Sequence, residues 1–274
     1  MTRKRGASQR SSGYRRARMD LDANKQAEIS ARTPDFLAGV APAPRGRIGR
    51  VPHAGEEGRK PFGREPGYFT DWATIALMLE SVELPAGASV LDVGCGAGWT
   101  SVFLAESGYE VLGYDIVPAS IELARQRAER WGVPARFEVA DMESLPPGEP
   151  VDAALVYDAL HHSRRQLDVL RSVAGRVRPD GWLLLGEPTW LHLLSPGAHA
   201  TRRDLGWTER GPTLRGLRRD LRAAGFDEVR RFFEPTRPYG SRVRGLGWQL
   251  ARLVGANAWT APGVKNWLAA RRSG

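Results

Sequence analysis

One cysteine, Cys95, is all that 274 residues contain, which excludes an internal disulfide framework. No apolar run approaches the roughly 20 residues that a transmembrane helix needs. The basic start of the chain is not followed by an apolar core of the secretory kind, so the cytoplasm is the expected location. Self-similarity at a solenoid period is absent too. Acids are scarce at both ends: residues 1–66 carry 15 Lys and Arg against 7 Asp and Glu, and residues 200–274 carry 16 against 6. The stretch between them carries 9 against 18, so the net charge of +9 hides an acidic middle of −9 between flanks of +8 and +10. Such flanks suit a nucleic acid, a membrane surface or a phosphorylated substrate. Large apolar residues are nearly missing from residues 1–20, which hold seven Arg and Lys and read as a disordered basic tail. Residues 33–66 are rich in Pro and Gly and read as loop, with one short helix expected over Leu21 to Ala31.

The information lies in the middle. Residues 90–98 read Val-Leu-Asp-Val-Gly-Cys-Gly-Ala-Gly, an apolar strand that breaks into glycines two apart, with Asp92 just ahead. Glycine there lets backbone approach a ligand and adopt angles that a Cβ forbids. A dinucleotide fingerprint needs its third glycine at position 99, where this chain has Trp99. A second strand, Val111 to Ile116, ends in Asp115, 17 residues past Gly98. Arg136 to Val139 reads as a short third strand before Ala140-Asp141-Met142, Val151 to Tyr157 as a fourth before Asp158-Ala159-Leu160-His161-His162, and Trp182 to Gly186 as a fifth before Glu187-Pro188. Helical spacing links them. One face holds Trp72, Ile75, Ala76 and Leu79, and a second holds Ile121, Ala124, Ala128 and Trp131 after Pro118. A third holds Leu167, Leu170, Val173, Ala174 and Val177, and a fourth Leu214, Leu217, Leu221 and Ala224, followed by a late strand from Phe226 to Phe233. Buried strands alternating with such helices mean a parallel sheet covered on both sides, and 42% hydrophobic residues suffice for one full core plus appendages.

Over roughly residues 67–233 this pattern resembles the class I S-adenosylmethionine (SAM)-dependent methyltransferases, with Gly-x-Gly-x-Gly as their first motif. The resemblance implies an α/β fold: a doubly wound, mostly parallel sheet with a helical N-terminal cap and a C-terminal helical extension. Residues 1–20 are then the tail, 21–66 a loop-rich extension, 67–233 the methyltransferase domain with 188–212 as a substrate-side insertion, and 234–274 the basic extension. The cofactor implied is SAM, held by Asp92, Gly94, Cys95, Gly96, Gly98, Asp115, Ile116, Asp141, Met142 and Tyr157. Asp115 is placed to accept both ribose hydroxyl protons, Asp141 and Met142 to form the adenine turn, and Asp92 to suit the cationic end of SAM. Cys95 is small enough to fill the turn and is not read as a catalytic thiol. No metal ligand set is read from the sequence.

Methyl transfer needs alignment and, for a hydroxyl acceptor, removal of a proton. His162 matches a histidine that many members carry after the fourth strand, and His161, Asp158 and Glu187 are the other candidates, with Glu187 placed to orient the acceptor. Tyr68, Trp72, Trp190 and His192 are candidate substrate contacts, the last two in a connection too long for a simple turn. The leading function is methyl transfer to an oxygen or nitrogen of a small molecule, such as a glycoside or other secondary metabolite. An RNA methyltransferase using the basic flanks is a second reading, although Tyr157-Asp158-Ala159-Leu160 departs from the Asn/Asp-Pro-Pro-Tyr/Phe motif of base-amino enzymes. A third is a SAM-binding or membrane-surface protein with little turnover, because Val243, Leu246, Leu250, Leu253 and Val254 form an apolar face near Trp248, Trp259 and Trp267 among arginines.

Overall fold

A computed structural model describes residues 22–34, 37, 60–61, 68–194, 198–199, 201–234 and 265–274. The basic tail and the apolar face from Val243 to Val254 lie outside the described residues.

The strands expected up to Phe233 form in the expected order, and one unexpected strand follows them. In chain order the elements are α1 (Ala23–Ala31), α2 (Tyr68–Val82), β1 (Ser89–Val93), α3 (Trp99–Glu106), β2 (Glu110–Asp115), α4 (Pro118–Trp131), β3 (Arg136–Val139), β4 (Val151–Tyr157), α5 (Gln166–Ala174), β5 (Val177–Pro188), α6 (Leu214–Ala223), β6 (Phe226–Phe232) and β7 (Lys265–Arg272). The sheet runs β3-β2-β1-β4-β5-β7-β6, parallel from β3 to β5, with β7 antiparallel to both of its neighbours. β1 and β4 are wholly or almost wholly buried on both faces, as strands covered by helices on each side must be. Between them the strand order reverses, and a ligand crevice in such a sheet opens beyond the carboxyl ends at that point.

Local chemistry sets the helix ends. The Asp22 carboxylate accepts the Asn24 and Lys25 N–H groups and so starts α1. Pro118 opens α4, and Gly132, in the left-handed region at φ 68°, closes it. Thr213 caps α6 by accepting the Gly216 N–H.

Four expectations need correction. Ala76 points outward and Met78 inward, because α2 turns Asp71, Thr74, Ile75, Met78, Leu79 and Val82 toward the sheet. Trp131, the last residue of α4, is 48% exposed and does not extend the core face. Val177 belongs to β5, because α5 stops at Ala174 with Gly175 as its cap. The C-terminal extension, expected to be helical, is a strand where it is described: Asn266 to Ala270 is fully buried as the middle of β7, with Trp267 packed so closely on Gly186 that a Cβ there would lie 2.3 Å from the indole. An apolar stretch of four residues, Trp267 to Ala270, buries both faces between two strands, which a solvated helix could not do.

Candidate active site

The carboxyl ends of β1, β2, β3 and β4 and the turns that follow them surround a concave cavity open to solvent on one side. Gly94, Cys95, Gly96, Asp115, Ile116, Asp141, Met142, Tyr157 and His162 line it, as the sequence implies. The two glycines differ in role. At Gly94 a Cβ would meet Ala159 at 2.4 Å, so the residue is needed for packing. Gly96 sits at φ 51° with open space where its Cβ would be, which leaves its backbone bare toward a ligand. Gly96→Val is therefore expected to abolish measurable SAM binding by calorimetry while the sheet stays folded by circular dichroism. Gly98 does not line the cavity; it starts α3 at φ 73° and packs on Ala124 and Phe137.

Asp115 is held by two backbone donors, Gly96 N–H at 2.9 Å and Val117 N–H at 2.8 Å. Burial pushes its carboxyl up to about 6, against the pull of the Arg32 charge. Asp92 lies behind the cavity wall. Its carboxylate accepts from the Thr100 and Ser101 hydroxyls at 2.6 Å each and ties β1 to the first turn of α3. That geometry gives Asp92 a structural task in place of a direct hold on the cofactor. Burial and the neighbouring Asp92 and Asp115 charges push the Cys95 thiol up, so it is an inert filler of the turn.

α1 closes the cavity from above. Lys25 Nζ donates to Asp141 at 2.6 Å and to Glu143 at 2.7 Å, and Glu28 and Arg32 also face the space. Burial opposes the charge on Glu143, but Lys25, Ser163 and Arg165 hold its carboxyl down at about 2. The floor near β4 is fixed by a second cation. Lys265 Nζ reaches Tyr157 Oη at 2.9 Å, Asp71 at 3.0 Å and Asp158 at 3.4 Å, and Tyr157 donates to Asp71 at 2.6 Å. Burial works against the ionised forms, yet Lys265 and Lys60 keep Asp158 far below the usual carboxylate range. Lys25, Lys60 and Lys265 were not legible as site residues in the sequence; the Asp22 cap ahead of Lys25 was the only local signal.

The histidines part company. His162 lines the cavity, and its Nδ1 lies 3.1 Å from the Thr208 carbonyl. A carbonyl only accepts, so Nδ1 carries the proton and Nε2 keeps its lone pair. Burial and the adjacent His161 charge lower its pKa, which leaves the imidazole neutral. His161 and Glu187 lie outside the cavity lining and bind each other at 2.9 Å. Glu187 is fully buried and also accepts the Ala159, Leu160 and His161 N–H groups, so it holds the turn and does not face an acceptor. Burial disfavours the His161 charge, but Glu187, Asp158 and Glu209 raise its pKa to about 9. Glu187→Ala leaves three buried N–H groups and a charged imidazole without their partner. A loss of about 3–5 kcal/mol is expected, read as a lower denaturant midpoint.

The proposed acceptor contacts scatter. His192 donates to Glu209 at 2.9 Å, Tyr68 is buried in the first turn of α2, and Trp190 lies in a short 3₁₀ turn after β5. Trp72 lines a neighbouring groove with Lys60, Trp99 and Phe103 and meets Phe103 edge-on at 5.3 Å. None of these four lines the cavity itself.

Residues 90–181 match the family model described as a methyltransferase domain. Among curated proteins the chain is 33% identical over 180 residues to a ubiquinone biosynthesis O-methyltransferase of Methylocella silvestris, covering 60% of this chain and 66% of that one. It is 29% identical over 169 residues to a protein of the same name from Chromobacterium violaceum, covering 54% and 72%. The chain thus spans just under two thirds of the first of these relatives. Among solved structures, the magnesium protoporphyrin IX methyltransferase of Synechocystis PCC 6803 aligns with a TM-score of 0.57 at 20% identity, over 94% of this chain and 100% of that one. A SAM-dependent methyltransferase of Mesorhizobium loti aligns with a TM-score of 0.55 at 20% identity, over 74% and 100%. At that identity the structural likeness speaks to fold alone, and the sequence matches supply the rest. Sequence and fold point the same way: residues 90–181 match a methyltransferase domain, and the sheet is built as in the solved S-adenosylmethionine-dependent methyltransferases.

Proposed function

We propose that this methyltransferase acts on a hydroxyl oxygen of a small-molecule acceptor bound beside His162. The observation that carries the reading is a neutral imidazole in the wall of the cofactor cavity with its Nε2 lone pair uncommitted to the Thr208 carbonyl. Asp115 accepts the ribose hydroxyls, Ile116, Asp141 and Met142 border the adenine, and the bare backbone of Gly96 lies against the amino-acid end. When bound, SAM supplies a methyl group on a sulfonium leaving group. The protein then has to place the acceptor oxygen, exclude water and accept one proton. His162 takes that proton at Nε2. α1, latched by Lys25, covers the cavity, and Lys265 fixes the Tyr157 ring and Asp158 at its floor.

The oxygen preference draws on the curated relatives, both named O-methyltransferases. Their acceptor is not carried over with it, and a glycoside or other secondary metabolite fits the same chemistry. The test is incubation with methyl-labelled SAM and an extract of the source organism, followed by separation of the products. Label in an alkali-stable methyl ether of a small molecule supports the reading. Label in RNA, lost when salt is raised, establishes the nucleic-acid reading instead.

A further inference from the structure

We infer that the turn after β4 and the segment after β5 hold a divalent transition-metal ion between His161, His162 and Glu209. One ligand atom from each of these residues lies within 4.8 Å of the others, and His161 Nε2 is 3.8 Å from Glu209 Oε2. Glu209 lies 47 residues beyond the adjacent pair His161 and His162, so no local turn explains its meeting them.

The surroundings have the form that a metal site requires. Each imidazole has its Nδ1–H committed: His161 donates to the Glu187 carboxylate at 2.9 Å, and His162 to the Thr208 carbonyl at 3.1 Å. Both rings thereby keep Nε2 as the nitrogen left for an ion, His161 giving up its Nε2 proton as the ion binds, and such partners both orient a ligating histidine and raise its basicity. Glu187 is itself immobilised by backbone donors from Ala159 and Leu160 at 2.8 Å each. Glu209 is buried, and its Oε2, the oxygen that faces His161, also lies 2.9 Å from His192 Nε2, so His192 fixes the carboxylate until an ion takes that oxygen. Thr208, next to Glu209, is buried as well, and its hydroxyl has no partner among the described residues. Two carboxylates, Glu187 and Glu209, match the charge of a dication. Two imidazole nitrogens with one carboxylate oxygen suit zinc and its borderline neighbours, whereas magnesium prefers oxygen alone. The sequence hid the site because Glu209 lies 47 residues beyond His162 in an insertion of no recognisable spacing.

The inference does not rest on the acceptor reading, because metal binding is measured without turnover. It bears on that reading all the same: an ion that takes a ring nitrogen of His162 withdraws it from proton transfer, so His162 serves as a base in the metal-free protein only.

The experiment is calorimetric titration of the tag-free full chain with zinc chloride after treatment with a chelator, with magnesium chloride as a parallel arm. One zinc ion per chain is expected, with no magnesium binding at the same concentrations. Glu209→Gln and His161→Ala should each weaken zinc binding by at least about tenfold, while His199→Ala, at an exposed histidine outside the cluster, leaves it unchanged. His161→Ala removes a buried partner of Glu187, so Glu209→Gln serves as the deciding variant if it fails to fold. Absence of stoichiometric zinc binding, equal affinity for magnesium, or undiminished binding in a folded Glu209→Gln protein each overturns the inference.

Discussion

Asp115→Ala is expected to weaken SAM binding by about tenfold to a hundredfold, measured by calorimetry on protein shown to be folded. Hydrogen bonds to a charged group are worth roughly 1.5–3 kcal/mol, and each 1.4 kcal/mol is a factor of ten. Alanine also frees the Gly96 and Val117 N–H groups, so Asp115→Asn is the stricter variant: it keeps the shape and loses the acceptor pair. The burial that raises Asp115 to about 6 adds a second observable. Two ribose hydroxyls donate to the ionised form only. Wild-type affinity should therefore be level above pH 6 and fall as pH drops through it, approaching tenfold per unit, as for one proton taken up when ligand leaves. Affinity unchanged in the asparagine variant would remove Asp115 from the ribose.

His162→Ala should leave SAM affinity nearly intact and lower methyl transfer by about a hundredfold to ten-thousandfold, the usual worth of a general base. The comparison to make is single-turnover methylation against calorimetric SAM affinity in metal-free protein. Full turnover in the variant would mean that alignment alone carries the reaction, as for an acceptor already ionised. Lost SAM binding would make His162 part of the cofactor wall, and the base would then have to be sought at Asp158.

The parallel half of the fold was legible because its signals are local. Glycines two apart after Val93, Asp115 at a strand end and Pro118 at a helix start each follow from backbone geometry within a few residues, and the limits of β3 and β4 match the expectation residue for residue. Cavity residues on those turns followed with them. Roles that depend on a distant partner were not legible. Glu187 ends its strand where an acceptor contact was expected, yet it faces the turn at Ala159 to His161, and nothing near position 187 announces that direction. Lys25 and Lys60 line the cavity from the N-terminal flank and Lys265 backs it from the C-terminal flank through Tyr157 and Asp158, although the excess of positive charge in both flanks reads as a solvated surface or a polyanion site. β7 was missed because Lys-Asn-Trp-Leu-Ala-Ala has no β-branched residue, and its strand state comes from the two neighbours that it joins.

The placement of β7 also constrains the order in which the molecule can be assembled. β6 precedes it in sequence but lies outside it in the sheet, and among the described strands β6 has no other partner. A nascent chain that has emerged only as far as Phe232 therefore has nowhere to dock β6, and β5 presents the unpaired edge of Trp182 to Pro188 until residues 265–272 arrive. The same residues bring Lys265 to Tyr157 and Asp158. The floor of the cofactor cavity is thus set only after the whole sheet has been threaded, so a ribosome-bound or prematurely ended chain carries every glycine of the cofactor turn and still lacks a finished site.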